Sequence, residues 1–236
     1  MALYDRNYTS DIGFEAERSE NALVGFVKQT YKFFAASLFF GTIGAYIAMP
    51  FAPILAGGAM FGIFILEIAL LFGLIFLKDK PIVNLILLFS FTFVTGVALV
   101  PLLANVLSLP AGVSIVAQAL LGTTIVFGIM SLYAIKTKSD LSNWGKILFL
   151  ALIGIIVASL INLAAAYFFG FGNAGLISVV ISGIATIIFS MYIAYDTQNI
   201  IRGRYDSPIM AAISLYLDVY GLFVHLLNIL GYVNKD

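Results

Sequence analysis

Asp196 and Asp218 are the residues through which this chain can do chemistry, because each carboxyl falls inside a stretch otherwise built largely of Ile, Leu, Val and Phe. A carboxyl in the hydrocarbon of a bilayer costs roughly 2.5–3.5 kcal/mol on insertion scales, so chains keep one mainly where it faces a polar interior and handles ions or protons. If the two side chains meet in a low-dielectric site, both cannot ionise cheaply. They then share a proton, and its loss adds a negative charge that draws a cation in. If they do not meet, each bonds a neighbouring hydroxyl or backbone group and pins its helix.

Helical spacing places other polar groups beside them. Ser214, Asp218, Gly221, His225 and Asn228 recur at intervals of four, three, four and three, which puts them on one face of a helix whose other faces are apolar. Such a stripe predicts a helix enclosed by others and facing a shared wet interior. With a helix start near Ile209, Asp218 lies about 13 Å in, close to the bilayer midplane. Tyr192, Asp196 and Asn199 share a face of the preceding span. The two aspartates can meet only if that span runs on toward Arg202 and the two helices cross closely. Three further groups have two readings each. Glu67 either lines the same cavity or is protonated and hydrogen-bonded. His225 either relays protons or packs as a neutral ring. Lys78 either latches onto Asp196 or snorkels to the interface.

The elements that position these residues follow from composition. Of 236 residues 62% are hydrophobic and 10% charged, and mean hydropathy is +1.07. A soluble domain is nearer half apolar and a quarter charged, so the chain is an all-α integral membrane protein. Its net charge of zero argues against nucleic acid as a partner. The absence of cysteine excludes disulfides, thiolate metal sites and cysteine nucleophiles. A single histidine excludes a multi-histidine metal site, and no cofactor is expected.

Seven apolar runs reach the length of about 20 residues that a spanning helix needs: residues 31–49, 54–77, 82–107, 113–135, 147–169, 174–195 and 209–233. Pro50 and Pro53 end the first. Pro81, Pro110 and Pro208 open the third, fourth and seventh, since proline suits a first helical turn. Gly170, Gly172 and Asn173 make the fifth break. The Gly58-x-x-x-Gly62 spacing permits close helix contact, but glycine is common in such helices and we assign it no function. Residues 1–27 read as a cytosolic tail lacking a cleavable signal, with an amphipathic helix near residues 21–29. Residues 28–236 form one transmembrane domain. Lysines and arginines fall before the first span (Lys28, Lys32) and in alternate loops (Lys78, Lys80; Lys136, Lys138, Lys146; Arg202, Arg204), which predicts a cytoplasmic N-terminus and an external C-terminus.

Tyr195-Asp196-Thr197-Gln198-Asn199-Ile200-Ile201 resembles the sixth-helix motif of the Bax inhibitor-1 family, in its bacterial YccA-like branch. Ser214-Leu215-Tyr216-Leu217-Asp218, continuing through Leu222-Phe223 to Leu230-Gly231, resembles that family's final-helix motif. Thr95-Gly96 with Val100-Pro101, and Lys138-Ser139-Asp140-Leu141-Ser142, are similar to its other recurring segments. The resemblance implies six helices surrounding a central seventh, a bacterial inner-membrane location, and a pH-sensitive calcium leak governed by Asp196 and Asp218. It also implies a latch from the end of the second helix onto Asp196. The family's bacterial members can carry arginine there; Lys78 offers a point charge instead of a bidentate fork. Gly221 stands where asparagine is frequent, which removes an oxygen ligand. The bacterial branch is linked as well to a membrane-bound AAA protease, FtsH.

A cation leak, with Ca²⁺ as the transported ion, is the leading expectation. Ca²⁺ takes six to eight oxygen ligands, more than two aspartates and a few hydroxyls supply, so binding should be weak and conducive to passage. A modulator of membrane proteolysis and a proton-coupled exchanger are the alternatives. An enzyme is not expected. Tyr195-Asp196 matches half of an intramembrane aspartyl protease signature, but Leu215-Tyr216-Leu217 precedes Asp218 where Gly-x-Gly is required. The final span also carries no lysine for a retinal Schiff base.

Overall fold

A computed structural model describes the backbone of residues 4–169 and 174–235 and the side chains of residues 20–165 and 175–235. Among these, all regular structure is helical. The long helices are α1 (Tyr4–Ala48), α2 (Ala59–Phe76), α3 (Pro81–Leu107), α4 (Gly112–Lys136), α5 (Trp144–Phe169), α6 (Ala174–Ile201) and α7 (Pro208–Val233). Each carries a segment long and apolar enough to cross a membrane. The glycine-rich fifth break, residues 170–173, lies outside the described residues.

Several boundaries differ from expectation for local reasons. α1 begins at Tyr4 and runs unbroken through the expected tail and the 21–29 segment into the first span. It gives way to a 3-10 turn at Met49–Phe51 and one helical turn at Ala52–Leu55, each with a proline in its first positions. Pro110 sits in the turn before α4, which opens at Gly112. α6 extends to Ile201, beyond the expected end at residue 195. There Gly203, at φ 63°, closes it: the Arg204 amide donates to the Asn199 carbonyl (2.9 Å) and the Gly203 amide to Ile200 (3.1 Å). This is the paired bonding of a glycine-stopped helix. Ser207 caps α7 by accepting from the Met210 amide at 3.2 Å.

α7 is the central helix. In its most apolar window 56% of residues are buried, against 6–33% for the other six. It packs mainly on α1, α3, α4 and α6, while α2 leans on α3 and α5 on α6 as an outer layer. α1 and α3 cross with backbone against backbone. A Cβ added at Gly96 would fall 1.9 Å from the Gly41 carbonyl oxygen, and one at Gly44 would fall 2.1 Å from that of Phe93. Gly58 and Gly62 have nothing within 4 Å, so the GxxxG spacing marks no contact here. α3 in turn braces α7. Thr95 hydrogen-bonds the Tyr216 hydroxyl, which also donates to the Thr92 carbonyl at 3.3 Å, and Tyr220 donates to the Thr95 carbonyl at 3.1 Å.

Candidate ion-pathway site

The extension of α6 to Ile201 keeps Asp196 on a regular helical face opposite the middle of α7. Asp196 and Asp218 are both buried, and their carboxyls meet within hydrogen-bonding reach. The Asn199 side chain and the Tyr205 hydroxyl, the latter from the α6–α7 loop, lie beside Asp196 as well. Tyr205 reaches Ser214 as well, one turn before Asp218. Burial, followed by the charge of Asp196, pushes the Tyr205 phenol well above its ordinary value. It therefore stays protonated, with a hydroxyl proton available to Asp196. Tyr192 faces both carboxyls. Asp218 Oδ2 is buried without a hydrogen-bond partner. An unpaired buried acceptor is expensive.

The remaining motif residues hold this pair in place. Thr197 bonds Ser131 at 3.3 Å and the Tyr31 hydroxyl. Gln198, fully buried, accepts from the Leu141 amide at 2.7 Å and donates to the Ser139 carbonyl at 2.9 Å. It thereby ties the α4–α5 connection to α6. Asn199 accepts from Arg204 at 3.3 Å. Arg204 grips Asp140 in a two-pronged pair, both contacts 3.0 Å, and Arg202 joins at 3.1 Å. Arg204 and the Ser142 amide hold the Asp140 carboxyl well below the usual carboxylate range.

Lys78 does not latch onto Asp196. Its Nζ lies 2.8 Å from Asp206 Oδ2, because the α6–α7 loop carries a nearer, solvated carboxylate while Asp196 is covered by Tyr205. That loop is thus strapped by ion pairs to the α2–α3 connection on one side and the α4–α5 connection on the other. Glu67 is half-buried on α2 and faces Tyr216 and Tyr220, outside the aspartate cluster.

The polar stripe of α7 serves two compartments instead of one interior. Ser214 and Asp218 belong to the aspartate cluster. His225 and Asn228 belong to a separate cavity nearer the C-terminal end of α7, where His225 Nδ1 lies 3.1 Å from Ser182 Oγ. Asn228 donates to Ser178 and Ser182, both at 2.9 Å. Phe189 stacks on His225, ring centres 5.7 Å apart, and its ring lies on Gly221, between the compartments. Tyr205, Gln198, Phe189 and Ser182 carry no spacing signal of their own, and only the fold reveals them. No cluster of three or more His, Asp or Glu side chains exists among the described residues.

A seven-helix membrane bundle whose central helix and its neighbour bring two buried aspartates together defines the class. The family described as "Inhibitor of apoptosis-promoting Bax1" matches residues 23–235. The chain belongs to this family, that of Bax inhibitor-1. It is 52% identical to an uncharacterized protein of Helicobacter pylori over 98% of this chain and 97% of that one. It is 47% identical to an uncharacterized protein of Campylobacter jejuni over the full length of both. A protein of Escherichia coli, named "Modulator of FtsH protease YccA", is 34% identical over 73% of this chain and 76% of its own length.

Proposed function

We propose that the protein is a pH-sensitive cation leak pathway, with Ca²⁺ as its cation, controlled by protonation of the Asp196–Asp218 pair. The observation that carries this reading is the meeting of the two carboxyls in a buried site. With one proton shared, the pair is a closed, hydrogen-bonded unit held by Tyr205 and Asn199. Loss of that proton leaves two negative charges together, a state that attracts a cation and repels itself open. The two carboxyls and the Ser214 and Tyr205 hydroxyls only reach the lower limit of the six to eight oxygens that hold Ca²⁺ firmly, and Asn199 Oδ1 is taken by Arg204. The ion passes partly hydrated and is not stored. The protein works in the bacterial inner membrane with its N-terminus and charged loops in the cytoplasm and its C-terminus outside, as its lysine and arginine distribution supports.

Purified protein in liposomes loaded with a Ca²⁺ indicator tests the reading. The parent passes Ca²⁺ with a pH dependence that Asp218→Asn abolishes; equal flux from both proteins at every pH rejects it. Proton movement counter to Ca²⁺, measured in the same vesicles, would mark an exchanger in place of a leak. A second reading, modulation of a membrane-bound AAA protease, is favoured by the printed name of the E. coli relative. Deleting residues 1–27 separates the two: a lost cellular phenotype with Ca²⁺ flux intact selects the protease reading.

A further inference from the structure

Between α3, α5, α6 and α7, toward the C-terminal end of α7, lies a cavity of about 410 Å³. Its polar lining comprises Ser159, Asn162, Ser178, Ser182, His225 and Asn228, with Leu102, Leu163, Ile181 and Val224 as its apolar walls. It holds no carboxylate and no lysine or arginine. A lining of neutral hydroxyls, amides and an imidazole exchanges hydrogen bonds with water and places no fixed charge in a cation's way. Six to eight waters at about 30 Å³ each occupy roughly 180–240 Å³, so the volume takes a small cation with its first hydration shell.

The cavity lies on the same face of α7 as Asp218. His225 is seven residues on, about 10 Å along the helix, and only Gly221 intervenes on that stripe. At Gly221 a Cβ would fall 2.5–2.7 Å from three atoms of the Phe189 ring. The missing side chain is what lets the ring edge rest on the α7 backbone. The ring also stacks on His225 (5.7 Å) and packs against Tyr192 (6.5 Å), which faces the aspartates. One aromatic ring therefore stands between a polar, water-sized chamber and a buried carboxylate oxygen that has no partner.

We propose that this cavity is the entrance chamber for a hydrated small cation, and that Phe189, seated on Gly221, is the apolar barrier between it and the Asp196–Asp218 pair. The proposal rests on the leak reading, but its test does not depend on ion flux. The chain has no cysteine, so single cysteines report access directly. Ser178→Cys, at a partly exposed position of the cavity wall, and Asp218→Cys are made in the full chain, each with Phe189 intact and with Phe189→Ala, reconstituted in liposomes and exposed to a small, charged, membrane-impermeant methanethiosulfonate.

With Phe189 present, Ser178→Cys reacts and Asp218→Cys is protected. With Phe189→Ala, Asp218→Cys becomes as reactive as Ser178→Cys, whose own unchanged rate shows that the bundle is folded. Phe189→Leu, which keeps an apolar plug, retains the protection. Three results overturn the proposal: Ser178→Cys inert from both sides of the membrane, Asp218→Cys reactive from the cavity side while Phe189 is present, or Asp218→Cys still protected after Phe189→Ala while Ser178→Cys reacts. Should the labelling pattern hold while Ca²⁺ flux ignores Asp218→Asn, the chamber and barrier stand and the leak reading falls. The reverse outcome removes the barrier alone.

Discussion

Replacing Gly96 by alanine probes the contact that sets the bundle's shape. The new Cβ would lie 1.9 Å from the Gly41 carbonyl oxygen and 2.8 Å from its carbon, whereas real Cβ contacts essentially never fall below 3.0 Å. α1 and α3 must therefore part by about 1 Å. The obstacle is backbone, so no side-chain rotation relieves it. Overpacking of this kind costs about 1–3 kcal/mol, and a rigid obstacle places Gly96→Ala at the upper end. The strain also reaches α7, because Thr92 and Thr95 on α3 hold Tyr216 and Tyr220. At about 2–4 °C per kcal/mol for a chain of this size, the apparent melting temperature in detergent should fall by roughly 6–12 °C. Gly62→Ala, with nothing within 4 Å, is the control and should melt with the parent. Equal melting of the two variants would refute the claim that the α1–α3 crossing depends on backbone contact at glycine.

Other expectations follow from the straps around the aspartates. Gln198→Leu leaves the buried Leu141 amide and the Ser139 carbonyl without their partner. It should cost about 2–4 kcal/mol and expose the α4–α5 connection to limited proteolysis; parental resistance there would contradict the role given to Gln198. Asp140→Asn should leave the pH dependence of flux intact. Arg204 and the Ser142 amide lower the Asp140 carboxyl, so its stabilising charge is complete above the ordinary carboxylate range and fades only as pH falls through the lowered value. Between about pH 5 and 8 it is constant, and a flux profile altered in that window would assign the pH sensor to the wrong carboxylate. Asp206→Asn should free Lys78, whose ammonium pairs with that carboxylate at 2.8 Å. Amide hydrogen exchange across residues 202–207 should then speed up; an unchanged rate would show that the ion pair does not restrain the loop.

The fold was legible where chemistry is local. Twenty-residue apolar runs punctuated by proline gave the seven spans, and Ser207-Pro208 marks the start of α7 as a cap and first turn should. The aspartate pairing was legible as a condition: the two could meet only if the sixth span ran on toward Arg202, and Gly203 lets it do so. What sequence did not disclose is partnership between distant residues. Lys78 stands where a latch to Asp196 is expected, yet it pairs with Asp206, a residue whose nearness only the folded loop decides. The stripe on α7 read as one wet face because helical periodicity fixes direction but not what is packed opposite. Phe189, an ordinary apolar residue by sequence, divides that face at the one position without a side chain. Tyr205, in a short charged loop, gave no sign that it covers Asp196.

Infrared difference spectroscopy on the reconstituted protein, read at the C=O stretch of protonated carboxyls as pH is raised, tests most directly whether the two aspartates hold a proton between them. In a Glu67→Gln background, which removes the half-buried carboxyl of α2, one titrating carboxyl band is expected, with its titration altered alike by Asp196→Asn and by Asp218→Asn, because the proton belongs to both. A band that survives either substitution unchanged, or a parent with no protonated carboxyl in that region, would contradict it.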